Sequence, residues 1–311
     1  VDGEKLAKTA YDRLGRQTHQ IVLANDNDTV YADADDVTGD ILLEESQTTY
    51  ESMDDDAVVM SALIRRHHDD FGAGETPGAL DTNADGDDKL YTATNVEGRI
   101  QITANWYDDL GRLESIVRYG TNGGSNFDRD GLSAPTRSDT ALRSDIVYNT
   151  DGTQQSITDP RDLETRYEYD EAGRQVAVIT NYVDGTPSTD TDFYTRFEFT
   201  DGLRVKQWSD LDGDDVEDAA DPITSYNYGT TKGATAGDSK IETGHLLQKI
   251  TYPEGEDPTF AYNAQSQQIW RKDDDGNVIE TGFTDAGRLE HERATTIMTA
   301  SGYDDAVKRI T

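Results

Sequence analysis

Asp81, Asn83, Asp85 and Asp87, four oxygen-bearing side chains at alternate positions, are the residues of this sequence best spaced for chemistry. They lie in DTNADGDDKL, where Gly86 supplies a sharp turn and alternate side chains point inward. Such a ring of oxygens suits a hard cation, so Ca²⁺ is the cofactor it would take. The twelfth position is Thr92 rather than Glu, so the bidentate ligand that completes loops of this kind is missing. Asp210, Asp212, Asp214 and Asp218 form a weaker set, with Trp208 where a leading Asp would stand. Asn126-x-Asp128-x-Asp130-Gly131 and Asp273-x-Asp275-Gly276 are shorter relatives. Asp and Gly are also the favoured residues of hairpin turns, so each weaker loop reads first as a turn. For residues 81–90 the competing reading is a solvated acidic turn.

Other chemistry finds less support. His67 and His68 are adjacent, and on a strand they would point to opposite faces rather than converge on a metal. His19, His245 and His291 are isolated. With 63 Asp and Glu in the chain, pairs of carboxylates arise by chance and nothing selects one pair for hydrolysis. No P-loop, nucleophile elbow or HExxH is present. Cysteine is absent, which removes disulfides and thiolate metal sites. Asn27-Asp28-Thr29 fits a glycosylation acceptor, a motif with a high chance rate. A net charge of −35 argues against nucleic acid or an anionic membrane surface as partner. It favours divalent cations, basic partners or a high-salt or extracellular setting. No apolar run approaches the ~20 residues of a membrane helix, so membrane insertion is not expected. The sequence starts at Val1, which is read as a segment of something longer or a processed product.

The elements that must position these residues come from a repeat. YDRLGR (Tyr11, Asp12, Gly15, Arg16), YDDLGR (Tyr107, Asp108, Gly111, Arg112), YDEAGR (Tyr169, Asp170, Gly173, Arg174) and FTDAGR (Phe283, Gly287, Arg288) are its strong copies. Weaker copies start at Tyr148, Phe199, Tyr262 and Tyr303. Tyr148 to Tyr169 and Tyr262 to Phe283 are each 21 residues apart, and Phe283 to Tyr303 is 20. A fixed period of this size marks a repeat architecture. Pairs such as Tyr167/Tyr169 and Phe197/Phe199 put two rings on one face of an extended strand. Asp suits the first position of a type I turn, and Gly three residues later suits a left-handed bulge. The Arg then opens the returning strand, near enough to the preceding Tyr and Asp to stack on a ring or pair with a carboxylate. A lone hairpin is marginal, so the units must pair side by side. The fold class expected is all-β, with tandem hairpins in a continuous antiparallel sheet.

The Y-x-Y-D-x-x-G-R core, with TDPRDLETRYEYD (Thr158–Asp170) as a link between units, resembles the YD-repeat or RHS-repeat family. The resemblance covers about half of the chain: Tyr107 to Phe199, Phe260 to the end, and the copy at Tyr11. It implies a sheet that curves or spirals into part of a larger shell or filament-like assembly. Members of the family include bacterial polymorphic toxins, toxin-complex cages and teneurin barrels, in which the sheet is scaffold and toxic activity sits in a separate domain. The chain shows no counterpart of the family's DPxGL-type closure, and it stops inside a repeat at Tyr303-Asp304. A structural or surface role is therefore expected ahead of toxin carriage.

Residues 1–100 read as a degenerate repeat region with acidic loops and the calcium-type loop at 81–92, and 101–311 as the regular array. Residues 25–56 are acidic and poorly periodic, which predicts loops with short strands, whereas AVVMSALIRR (Ala57–Arg66) is expected as a buried strand. Gly72–Gly78 and Thr121–Ser125 read as turn-rich insertions. The leading function is a non-enzymatic structural segment of a large secreted or cell-surface protein: wall, sheath, filament or adhesion scaffold. Its partners would be further repeats or copies of itself, with surface carbohydrate or an encapsulated toxin domain as others. A toxin-enclosing shell fragment and a carbohydrate-active enzyme with a hidden carboxylate pair are the alternatives.

Overall fold

A computed structural model describes residues 6–25, 40–52, 55–66, 80, 98–122, 129, 133–235, 237–255, 257–273, 275–299, 302–304 and 308–310. Among these residues there is no helix, and every named element is a β-strand. Contacts divide the chain into Val1–Leu163 and Glu164–Thr311. That line follows packing, whereas the division at residue 100 follows how regular the repeats look in sequence.

The first unit is a meander of β1 (Leu6–Tyr11), β2 (Gln17–Asn25), β3 (Ile41–Ser52), β4 (Asp55–Arg66), β5 (Gly98–Tyr107), β6 (Leu113–Gly120), β7 (Leu142–Tyr148) and β8 (Gln154–Thr158). Each strand pairs antiparallel with the next. Its core comes from period-2 alternation: on β5, Ile100, Ile102, Ala104 and Trp106 are buried while their neighbours are not. The register sets Ile64 opposite Ile100, Ala62 opposite Ile102 and Met60 opposite Ala104. Ile21, Leu23, Leu42, Leu80, Val117 and Ala141 complete the cluster. Ala57–Arg66 lies in strand, as expected. Of the acidic segment 25–56, residues 26–39, 53 and 54 lie outside the described residues, and 41–52 form not loops with short strands but β3, which runs for 12 residues. Pairing with the apolar β4 explains this, and the acids are accommodated across the ladder: Glu44 lies opposite Arg65, at 2.7 Å.

The second unit is built the same way from β9 (Glu164–Tyr169), β10 (Gln175–Tyr182), β11 (Phe193–Thr200), β12 (Leu203–Asp210), β13 (Ile223–Thr230), β14 (Thr243–Thr251), β15 (Thr259–Tyr262), β16 (Gln268–Lys272), β17 (Val278–Phe283) and β18 (Leu289–Thr299). Consecutive strands pair antiparallel throughout, and β19 (Gly302–Asp304) and β20 (Lys308–Ile310) both pair with β18. Fewer side chains are fully buried here; Ala177, Ile179, Tyr194, Trp208, Ala261 and Tyr262 are among them. In a meander successive connections fall at opposite strand ends. One rim of this unit therefore carries the connections 170–174, 201–202, 231–242, 263–267 and 284–288. The other rim carries 183–192, 211–222, 252–258 and 273–277.

Candidate functional site

The recurrent Tyr-Asp-Arg group is the best-defined constellation, and its geometry follows from the turn. In the copy at 108–112, the Gly111 amide donates to the Asp108 carbonyl at 2.9 Å and the Asp108 amide to the Arg112 carbonyl at 2.9 Å. This is a type I turn closed by a bulge, with Gly111 at φ 75° in the left-handed region that only glycine enters without penalty. Asp108 Oδ1 accepts the amides of Leu110 at 3.0 Å and Arg112 at 2.9 Å, and Oδ2 accepts Arg112 Nε at 2.8 Å. The copies at 12–16 and 170–174 repeat every one of these bonds.

The carboxylates respond accordingly. The Arg112 amide and then its guanidinium hold Asp108 below the usual carboxylate range. For Asp170 the Arg174 guanidinium is the larger cause and its amide the next. Partial burial pushes Asp12 up, but the Arg16 amide and guanidinium together leave it lowered.

The arginine does not stack on the ring that precedes it in the motif. It reaches instead to a ring on the following strand: Arg112 lies 4.3 Å from the Tyr148 ring centroid, Arg16 4.3 Å from Tyr50 and Arg174 4.9 Å from Phe199. The return strand that the Arg opens is hydrogen-bonded to that next strand, which places the guanidinium over its ring. The stacked tyrosines also answer with a bond of their own. Tyr148 Oη donates to the Leu113 carbonyl at 3.0 Å and Tyr50 Oη to the Gln17 carbonyl at 3.0 Å, in each case the residue just after the arginine.

The same hydrogen-bond frame occurs at eight places among the described residues, beginning at Asp12, Asp108, Asn149, Asp159, Asp170, Asn263, Asp273 and Thr284. Two of these, at Asp159 and Asp273, were not evident as repeats. The link DPRDL is itself such a turn, with Asp162 at φ 68° in the glycine place and Arg161 paired with Asp159 at 2.8 Å. Asp273-x-Asp275-Gly276 is another, closed by the Asn277 amide on Asp273 Oδ1 at 2.7 Å. Asn263 heads the weaker copy that starts at Tyr262, in which Ser266 takes φ 64°. Asp followed three or four residues later by a turn-tolerant residue was the available signal. FTDAGR keeps the backbone frame, but Thr284 stands in the Asp place and offers Arg288 only a hydroxyl, 3.2 Å from its amide. The copy at Phe199 differs in kind, because Asp201 (φ 51°) and Gly202 (φ 81°) form a two-residue turn.

Asp210, Asp212 and Asp214 bring carboxylate oxygens within 4.8 Å of one another. Asp210 is already engaged: Oδ1 accepts the Gly213 amide at 2.6 Å, and Oδ2 accepts the Asp215 amide at 3.2 Å and Arg196 Nε. The Asp214 amide draws Asp212 down, but burial and the charges of Asp214, Asp218 and Asp210 leave it raised. Asp218 turns aside to cap its own loop, accepting the Ala220 amide at 2.6 Å. The loop containing Asp81, Asn83, Asp85 and Asp87 lies outside the described residues, as do Asn126, Asp128, Asp130, Asn27, His67 and His68. The described histidines His19, His245 and His291 lie on β2, β14 and β18 respectively.

Residues 148–186 match the family described as RHS Repeat, a span that holds the turns starting at Asn149, Asp159 and Asp170. The chain thus carries an RHS repeat. No curated protein matches the chain. Among solved structures, 95% of the chain aligns with 18% of a TcdB2-TccC3 chain at 10% identity and a TM-score of 0.36. A further 97% alignment covers 17% of a chain of the Photorhabdus luminescens Tc holotoxin pore, at 12% identity and a TM-score of 0.30. A porin-like protein from Bacteroides uniformis aligns over 91% of its length with 94% of this chain, at 9% identity and a TM-score of 0.19. The chain spans less than a fifth of the TcdB2-TccC3 chain (18%), and at these scores the likenesses carry no argument.

Proposed function

We propose that this chain is a non-enzymatic structural segment of an RHS-repeat protein, a stretch of wall whose function belongs to the assembled sheet. One observation carries the reading: the Asp and Arg of the three YD copies are consumed in closing the turn and covering a ring of the next strand. Asp108 accepts three bonds from its own turn, and the guanidinium that supplies one of them also covers Tyr148. A catalytic carboxylate needs an oxygen left for substrate and a pKa poised near the working pH, whereas these are driven downward. Partners are then further repeats or copies of the chain, and the acidic composition suits a secreted or cell-surface setting. Calcium bound by Asp81, Asn83, Asp85 and Asp87 belongs to the same proposal.

Cryo-electron microscopy of the protein in its native assembly tests it. The expected result is hairpins continuing into a wall. A folded polypeptide enclosed by that wall would assign the toxin-carrying version. Turnover of a polysaccharide that a single carboxylate substitution abolishes would overturn the proposal in favour of an enzyme.

A further inference from the structure

The connection 231–242, between β13 and β14, folds onto one face of the second unit and walls a cleft there. Register fixes which side chains share that face. Asn227 lies opposite Lys249, Lys249 opposite Thr259, and Ala261, two residues after Thr259, opposite Trp270. β14 and β15 share a single register pair, and the loop takes up backbone groups of β15 beyond it. The Lys240 amide donates to the Tyr262 carbonyl at 2.6 Å, and the Tyr262 amide to Ser239 Oγ at 3.1 Å. Lys240 Nζ ties back to the Gly233 and Thr235 carbonyls at 3.1 and 2.9 Å. Gly237, at φ 83°, rests on the indole of Trp270: a Cβ there would stand 3.2 Å from Cε2. Two depressions flank this contact and share Gly237 and Trp270. One, of about 570 Å³, is bordered by Asn227, Gln248, Lys249 and Thr259. The other, of about 340 Å³, is bordered by Glu280, Thr281 and His291.

We propose that this cleft binds a neutral oligosaccharide, with sugar units on either side of Trp270. The chemistry left open in it is uncharged. Lys249 is paired with Asp257 at 2.5 Å, Glu280 with Arg293 at 2.7 Å, and Asp238 accepts the Thr235 amide at 2.7 Å. The side chains of Asn227, Gln248 and Thr259, by contrast, make no hydrogen bond among the described residues. Amides and hydroxyls both donate and accept, as every hydroxyl of a sugar does, whereas a charged ligand calls for an unspent ion. The net charge of −35 counts further against an acidic polysaccharide. Trp270 supplies the other half of the match. It is half-buried, while Trp106 and Trp208 are only 3% and 8% exposed. An indole offers an apolar ring and a single N–H, which suits a pyranose with its apolar C–H face and hydroxyl rim. Both volumes fall within the range of small-molecule sites, about 300–1,000 Å³.

Acrylamide quenching of tryptophan emission reads this site, because Trp270 is the half-buried indole among the three. Cellohexaose, maltohexaose and chitohexaose are titrated against the full chain to about 5 mM, which detects millimolar affinity. The expected result is that at least one of them shields Trp270 from the quencher. Asn227→Ala combined with Gln248→Ala should weaken that binding about tenfold, through lost partners for sugar hydroxyls. The unfolding midpoint should stay unchanged, since neither side chain bonds to the rest of the described chain. Shielding by none of the three, or equal affinity in the double variant, would overturn the proposal. Tighter binding of polygalacturonate, an acidic chain, than of any neutral one would overturn it as well. The readout is binding without turnover, so either failure leaves the structural reading of the sheet standing.

Discussion

Tyr148 donates its hydroxyl to the carbonyl of Leu113 at 3.0 Å while its ring lies under Arg112, the residue just before Leu113. One side chain on β7 thus fixes two consecutive residues where β6 leaves its turn. The bulge disturbs the ladder at that point, so the hydroxyl supplies a partner where regular pairing is interrupted. Tyr148→Phe should preserve the ring stack and remove only the hydrogen bond, costing about 0.5–1.5 kcal/mol in denaturant unfolding. Tyr148→Leu should cost more, because it removes the stack as well.

Thr284→Asp restores in the copy at 283–288 what the three YD copies have. Arg288 has only a hydroxyl near its amide, and an Asp would offer its amide and guanidinium the two oxygens used at Asp170. A gain of about 0.5–1 kcal/mol is expected, in the range of an exposed ion pair with good geometry. In the reverse direction, Asp170→Asn should lower the midpoint while Asp285→Asn, at the next position of the weaker copy, should not. An equal response to both would refute the assignment of positions.

Ser266, like Asp162, occupies the place that glycine holds in the other six turns of this frame, and does so at φ 64°. Side chains other than glycine pay about 1 kcal/mol for that conformation. Ser266→Gly should therefore stabilise the chain by about that amount, whereas Gly173→Ala should cost about the same in the reverse sense. Paired urea titrations of the two variants check the sign.

Acid should soften the array. Asp108, Asp170, Asp192 and Asp210 all have folded-state pKa values below the ordinary carboxylate value. A depressed folded pKa contributes stability that is present above the unfolded value, near 4, and is lost as pH falls through the folded value. The urea midpoint should be flat from neutral pH to about 5, then fall steadily below about 4. Asp170→Asn should make that fall shallower, because one of its contributing groups is gone.

Much of this was legible in the sequence because the turn is local. Asp, Gly and Arg at fixed offsets report a backbone frame that five residues complete among themselves, and the period reported that hairpins follow one another. What was not legible depended on a strand far away in sequence. The ring over which Arg112 stacks is 36 residues later (Tyr148), and the choice between preceding and following strand is made by sheet pairing. Likewise Arg196 meets Asp210 and Glu168 only through register on both sides of β11. The Asp159 turn escaped notice, and the Asp273 turn was read as a hairpin but not as a copy of the repeat, because Leu163 and Asn277 stand where the motif has Arg, although the frame needs only the carbonyl of that residue. The long β3 was hidden by its acids, which charge pairing across the ladder makes tolerable.

In the second unit both rims mix compact turns with long connections: 231–242 shares a rim with the turns at Asp170, Asn263 and Thr284, and the Asp273 turn shares the other with 183–192 and 211–222. Pairing with a neighbour sets a strand's register even without a tight turn, as on β13, which has a long connection at each end, so those connections are free to vary in length. Selection could lengthen, shorten or replace the long connections one at a time while the weave itself stays unaltered. A chain made this way separates inheritance of its architecture from diversification of its display.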